Sequence, residues 1–117
     1  MILGSGIDII EIDRLKDAIE KWGDSFLLRV FTKDEVEYAK QRRFPYQHLA
    51  ARFAVKEAVM KALGNSNNIS WHDIKINNDI HGKPICTLVN NKNTDILVSI
   101  SHTKKYAVAS AIITKKS

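Results

Sequence analysis

The stretch HLAARFAVKEAVMKALG, His48 to Gly64, reads as part of one long helix that runs from about Tyr46 to Leu63 and stops at Gly64. On a wheel of about 100° per residue, Leu49, Phe53, Val55, Val59, Met60 and Leu63 spread over a wide bulky sector. Arg52 and Lys56 fall inside that sector rather than opposite it. Ala50, Ala51, Ala54, Ala58 and Ala62 make a small-residue sector, with Glu57 and Lys61 at its edge. No continuous solvent face remains. Such a helix is buried in its own domain or covered by another subunit. A chain of 117 residues builds a thin core, so cover by a second subunit is the more economical expectation. The alanines allow another backbone or a ligand to come close. Glu57 and Lys61, four residues apart, can meet on one face. The plain reading is an exposed pair that adds a few tenths of a kcal/mol to helicity, but the wheel leaves little exposed face for it.

Upstream of the helix, Met1 to Ile10 alternates weakly and is rich in Ile, so it reads as a strand, and the first half of Gly6 to Arg14 reads as buried, with Ile7, Ile9 and Ile10 around the acid Asp8. A carboxylate in an apolar strand costs free energy unless something pairs with it. Asp8 therefore has a partner elsewhere in the chain or holds something that is not protein. EIDRLKDAIEKW, Glu11 to Trp22, carries Ile12, Leu15, Ile19 and Trp22 at helical spacing and ends at Gly23. Ser25 to Phe31 is a short helical segment. Thr32 and Glu35 form a capping box that starts a helix through about Arg42, and Phe44-Pro45 breaks the pattern.

Downstream, Asn65 to Ser70 is a polar loop. Strands follow at about 74–77, 85–89, 96–101 and 106–113, with a turn at His81 to Pro84 and a hairpin tip at Thr103 to Lys105. Helices in the first half and an antiparallel meander in the second predict an α+β fold. The N-terminal strand and the helices would pack on that meander as one domain over residues 1–117.

The composition, 44% hydrophobic and 26% charged, is that of a globular protein, with disorder expected for only the final TKKS. The +5 charge, from 18 Lys+Arg against 13 Asp+Glu, serves solubility or favours an acidic partner. One cysteine, Cys86, excludes an intrachain disulfide and a cysteine-rich metal site, and reads as a buried thiol. The N-terminus has no basic n-region and no long apolar run, so no signal peptide is expected, and no apolar stretch approaches the roughly 20 residues that span a bilayer. A cytoplasmic protein with no membrane association is expected.

If the long helix packs on the first strand, Asp8 and Glu57 converge. Two hard carboxylates without Cys or paired His suit Mg²⁺, with water and phosphate oxygens completing the shell. Lys61, one turn from Glu57, would neutralise the same phosphate. That is metal-assisted chemistry on a phosphorylated substrate. His102 ends the apolar row Ile96, Val98, Ile100. A lone His there most simply caps the core edge, but Ser101, Thr103, Lys104 and Lys105 tilt it toward an anion.

Gly6-Ile7-Asp8 followed by FAVKEAVMKALG, Phe53 to Gly64, resembles the signature of the 4′-phosphopantetheinyl transferases. The short length, Gly82-Lys83-Pro84 and SISHT, Ser99 to Thr103, resemble the small class, the bacterial holo-acyl-carrier-protein synthases. The resemblance spans essentially the whole chain. It implies that fold and transfer of 4′-phosphopantetheine from coenzyme A to a serine of apo-acyl carrier protein, in support of fatty acid biosynthesis. The other product would be adenosine 3′,5′-bisphosphate. It implies Mg²⁺ on Asp8 and Glu57, with Lys61 beside the pyrophosphate completing the catalytic set. Arg52, Lys61, Gly64, Ser101, His102, Thr103 and the turn Gly82, Lys83, Pro84 match positions around coenzyme A. Arg14 and Arg29 match carrier-protein contacts. The resemblance also implies a homotrimer with active sites between subunits. Larger relatives carry another acid where this chain has Ile10, so water would complete the ligand set. Position 103 is Thr where some small-class members have Asp, so it is assigned no role as base. A water on Asp8 or on the metal is the first choice of base, and Glu57 the second.

Two other classes compete. A basic nucleic-acid-binding module draws on the charge and on the KQRR and TKK loops. It lacks interleaved aromatics and a recognised motif, and leaves Asp8 unexplained. A Mg²⁺-dependent phosphohydrolase would use the same acids with water as the acceptor.

Overall fold

The ten elements, in a computed structural model that describes residues 1–64, 69–91 and 93–116, follow the sequence pattern closely. They are β1 (Ile2–Glu11), α1 (Ile12–Trp22), α2 (Asp24–Val30), α3 (Lys33–Lys40), α4 (Pro45–Leu63), a 3₁₀ turn (Trp71–Asp73), β2 (Ile74–Asn78), β3 (Pro84–Leu88), β4 (Thr94–His102) and β5 (Tyr106–Lys115). Most of the polar loop expected over 65–70 lies outside the described residues; Ser70 caps the 3₁₀ turn, which the sequence reading does not include.

The α+β architecture stands, and the meander proves to be two hairpins. β4 and β5 pair antiparallel, and β1 joins on the β5 side to give the order β1-β5-β4. β2 and β3 form a separate two-stranded sheet. β3 packs beside β4 without a ladder between them. β5 runs to Lys115, and Lys116 N–H donates to the Asn93 carbonyl, so the expected disordered tail is ordered through Lys116.

β1 corrects a reading. It alternates instead of being buried throughout: Ile7 and Ile9 are 65% and 63% exposed, while Gly4, Gly6, Asp8 and Ile10 turn toward the helices. The inward glycines let β1 lie directly on α4. A Cβ on Gly4 would collide with the Ala62 carbonyl oxygen, and one on Gly6 with that of Ala58. The alanine sector of α4 thus receives a strand backbone.

α4 is the core of the single chain. Leu49, Ala50, Ala51, Ala54, Val55, Ala58 and Val59 are all buried, as are Arg52 and Lys56. The sheet and the other helices supply that burial, so the missing solvent face needs no second subunit. Pro45 occupies the first turn of α4, where its missing N–H leaves no intrahelical bond unmade. Thr32 and Glu35 make the predicted capping box. Glu35 does more than cap. Its carboxylate accepts from Thr32 N–H and Ile76 N–H and pairs with Lys56 Nζ at 2.8 Å. Lys56 also donates to the carbonyls of Val30 and Trp71, at 2.8 and 3.0 Å. Every charge in this buried knot has partners, as a low-dielectric interior requires. It ties α3 and α4 to the end of α2, the 3₁₀ turn and β2. Cys86 is buried as expected, and burial pushes its thiol up to about 12.

Candidate active site

Two groups of side chains converge, on different faces of α4. The first forms where β1 crosses the C-terminal half of the helix. Lys61 Nζ lies 3.2 Å from Asp8 Oδ1 and donates to the Ile7 carbonyl at 3.0 Å. The Asp8 side chain is only 14% exposed, so Lys61 is the in-chain partner that the buried acid demands. Glu57 stands one turn before Lys61, half-buried. Burial, and then the Asp8 charge, raise its pKa, while Lys61 lowers it. Two carboxylates crowd one cation here, and the local charge is negative. Gly64 ends α4 with φ 83°, a conformation that suits glycine, and its N–H donates to the Met60 carbonyl.

The second group surrounds Arg52. Nη2 donates to Asn78 Oδ1 at 2.6 Å, and Asn78 Nδ2 donates to the Gly82 carbonyl at 2.9 Å. Asn78 therefore couples Arg52 to the Gly82-Lys83-Pro84 turn. Asp79 Oδ1 accepts from the His81 and Lys83 N–H groups and stiffens that turn, where Gly82 takes φ 82°. The Tyr38 ring is sandwiched between guanidiniums, Arg52 at 4.1 Å and Arg42 at 4.0 Å. His102 is exposed at the end of β4, on the predicted row with Ile96, Val98 and Ile100. Thr103 organises the β4–β5 tip: its Oγ1 accepts from the Lys105 and Tyr106 N–H groups at 3.1 and 3.0 Å. Ser101 is exposed on the opposite side of β4 from His102.

α4 keeps the groups apart. Arg52 and Lys61 are nine residues apart, which is about 180° around the helix and roughly 14 Å along it. Arg14 lines a separate cleft of about 410 Å³ with Glu11, Leu15, Phe26 and Phe53. Arg29 lines an adjoining cleft of about 340 Å³ with Trp22, Ser25 and Phe26. The shared residues Ala18 and Phe26 make the two clefts one groove along α1 and α2.

Sequence reasoning missed Tyr38, Asn78 and the full role of Glu35. A tyrosine on a short helix and an asparagine at a strand end carry no signal by themselves. Glu35 had one, since the buried Lys56 needs a carboxylate.

Residues 4–111 match the model of the 4′-phosphopantetheinyl transferase superfamily. The chain belongs to that superfamily. Within it, the chain is 50% identical to the holo-[acyl-carrier-protein] synthase of Protochlamydia amoebophila, across 96% of this chain and 98% of that one. Among solved structures it resembles the Bacillus anthracis holo-(acyl-carrier-protein) synthase in complex with CoA (3′,5′-ADP), with TM-score 0.83 and 40% identity over 100% and 99% of the two chains. It also resembles the Helicobacter pylori enzyme in complex with coenzyme A, with TM-score 0.84 and 31% identity over 94% and 99%. In this transferase no described helix is long and apolar enough to cross a membrane.

Proposed function

We propose that this chain transfers the 4′-phosphopantetheine arm of coenzyme A to a serine of apo-acyl carrier protein, releasing adenosine 3′,5′-bisphosphate. The observation that carries this reading is the convergence of Asp8, Glu57 and Lys61 at the β1–α4 crossing, in a chain half identical to a holo-acyl-carrier-protein synthase.

In the reaction the serine Oγ attacks the phosphorus that bears the pantetheine. The bond from that phosphorus to the bridging oxygen breaks, and the bisphosphate leaves with the electron pair. Lys61, partly exposed beside Asp8, offsets the charge that gathers on the bridging oxygen. Arg52, held rigidly by Asn78 and Tyr38, fixes phosphate oxygens so that attack is in line. Water held by Asp8 is the first candidate for the serine proton, and Glu57 the second.

The residues present fit a divalent cation. Asp8 and Glu57 are hard oxygen donors, and the crowding that raises the Glu57 pKa is relieved by added positive charge. Among the described residues no third His, Cys, Asp or Glu joins them, so water and phosphate oxygens complete the octahedron that Mg²⁺ prefers. When bound, Mg²⁺ supplies charge that stabilises the pyrophosphate oxygens.

The carrier protein docks along α1 and α2, where Arg14 and Arg29 border the apolar groove and offer cations to an acidic partner. The active assembly is a homotrimer with sites shared between subunits. Two features support sharing. One chain holds the Arg52 and Lys61 groups on opposite faces of α4, so a neighbouring chain has to bring one group to the other. The outer face of the β1-β5-β4 sheet is open and exposes the large apolar side chains of Ile7, Ile9 and Leu97 at 65%, 63% and 58% among serines, a surface that an interface would cover. The threefold number comes from the family resemblance. The work is cytoplasmic, where coenzyme A and carrier protein meet.

Intact-mass measurement of apo-acyl carrier protein incubated with this chain, coenzyme A and Mg²⁺ tests the reading. A pantetheine-sized increase is expected. Coenzyme A cleaved with no mass gain on the carrier would make the chain a phosphohydrolase, and nucleic-acid retention with no turnover would make it a binding module.

A further inference from the structure

Three basic side chains gather on the Tyr38 ring. His48 lies one helical turn before Arg52 on α4 and meets the ring edge-on, with centroids 5.6 Å apart and planes at 79°. Arg42 and Arg52 lie over the same ring at 4.0 and 4.1 Å. The charged groups that act on His48 are Arg52 from α4, Arg42 from beyond α3, and His102 from β4. No acid is among them. Glu35, the α3 carboxylate whose charge reaches Arg52, is taken by Lys56. Arg52 is itself 3% exposed, yet its Nε has no hydrogen-bond partner among the described residues. A buried donor left unpaired costs free energy unless a ligand completes it.

We infer that His48 is a further donor-binding residue, its imidazole serving as the protonated partner of a coenzyme A phosphate that Arg52 also holds. The inference rests on the coenzyme A reading above. In the free protein, burial and then Arg52, Arg42 and His102 hold the imidazole below its ordinary pKa. It is therefore largely neutral at about pH 7. A phosphate dianion in the cluster reverses the sign of the local field and raises that pKa. Binding then takes up a proton. Affinity falls as pH rises through the bound-state pKa, and below the free-state pKa His48 contributes no pH dependence. The ligand's own monoester ionises near about pH 6, so its opposing trend is nearly complete by pH 7.

Titration calorimetry with adenosine 3′,5′-bisphosphate needs neither carrier protein nor turnover. At about pH 7, in two buffers of different ionisation enthalpy, the wild-type protein should take up a fraction of a proton per ligand. His48→Gln should take up clearly less and bind about five- to tenfold more weakly, the scale of one charge-assisted contact at a partly exposed site. At about pH 8.5 that difference should nearly vanish. His48→Lys, with a fixed charge, should keep the affinity without the uptake. Wild-type proton uptake in His48→Gln, or an equal weakening at both pH values, overturns the inference. No binding by the wild-type protein would instead remove the coenzyme A reading beneath it.

Discussion

Lys56 and Lys61 stand five residues apart on α4 and present opposite chemistry. Lys56 is 0% exposed, and its ammonium has Glu35, the Val30 carbonyl and the Trp71 carbonyl as partners. An ammonium has three donors, so nothing is left for a ligand. Lys61 is 55% exposed and has two partners among the described residues, Asp8 and the Ile7 carbonyl. A donor and open surface remain for an incoming phosphate. What surrounds each makes one lysine a structural bolt and leaves the other free to act as the proposed reagent. Residue type and local sequence alone do not separate them.

The largest effect should come from Lys56→Met, which leaves the Glu35 charge buried and unpaired. A loss of about 3–5 kcal/mol in urea unfolding is expected, with most of it recovered when Glu35→Gln is added. Stability unchanged in the single variant would break the contrast from the structural side. Lys61→Met should behave in the reverse sense. Its stability should fall by clearly less than in Lys56→Met, about 1–2 kcal/mol, because Lys61 is half-exposed while Asp8 is mostly covered, while turnover falls about a hundredfold or more. Steady-state kinetics beside the same unfolding curves would settle it, and near-normal turnover would remove Lys61 from the chemistry. The smallest signal sharpens the contrast between the two faces of α4. Glu57→Ala and His102→Ala subunits, each inactive, should regain up to about a quarter of wild-type activity after mixed assembly, the share of sites with one intact half from each. Complete silence after proven subunit exchange would place the whole site within one chain.

What was legible in the sequence follows this division. The α4 periodicity, the Thr32–Glu35 box and the pairing need of Asp8 are set by neighbours a few residues away or by one buried charge, and they appear in the structure, although the chain itself covers α4 without a second subunit. Glu35–Lys56, Arg52–Asn78 and Tyr38 between its arginines join residues far apart in the chain. Residue types along the chain do not specify which distant groups meet. β1 was misread for a related reason. Ile7 and Ile9 look the same in sequence whether they face a core or an open sheet surface.

The glycine seat of β1 gives the site an unusual ruler. Where strand and helix backbones touch without intervening side chains, their separation is fixed by main-chain atomic radii and does not depend on the size of core residues. Leu, Ile and Val elsewhere in the interior can drift in volume over evolutionary time or in an engineer's library, and the spacing from Asp8 to Lys61 is insulated from that drift. The proposed chemistry would be calibrated by the two residues that have no side chain to mutate gradually.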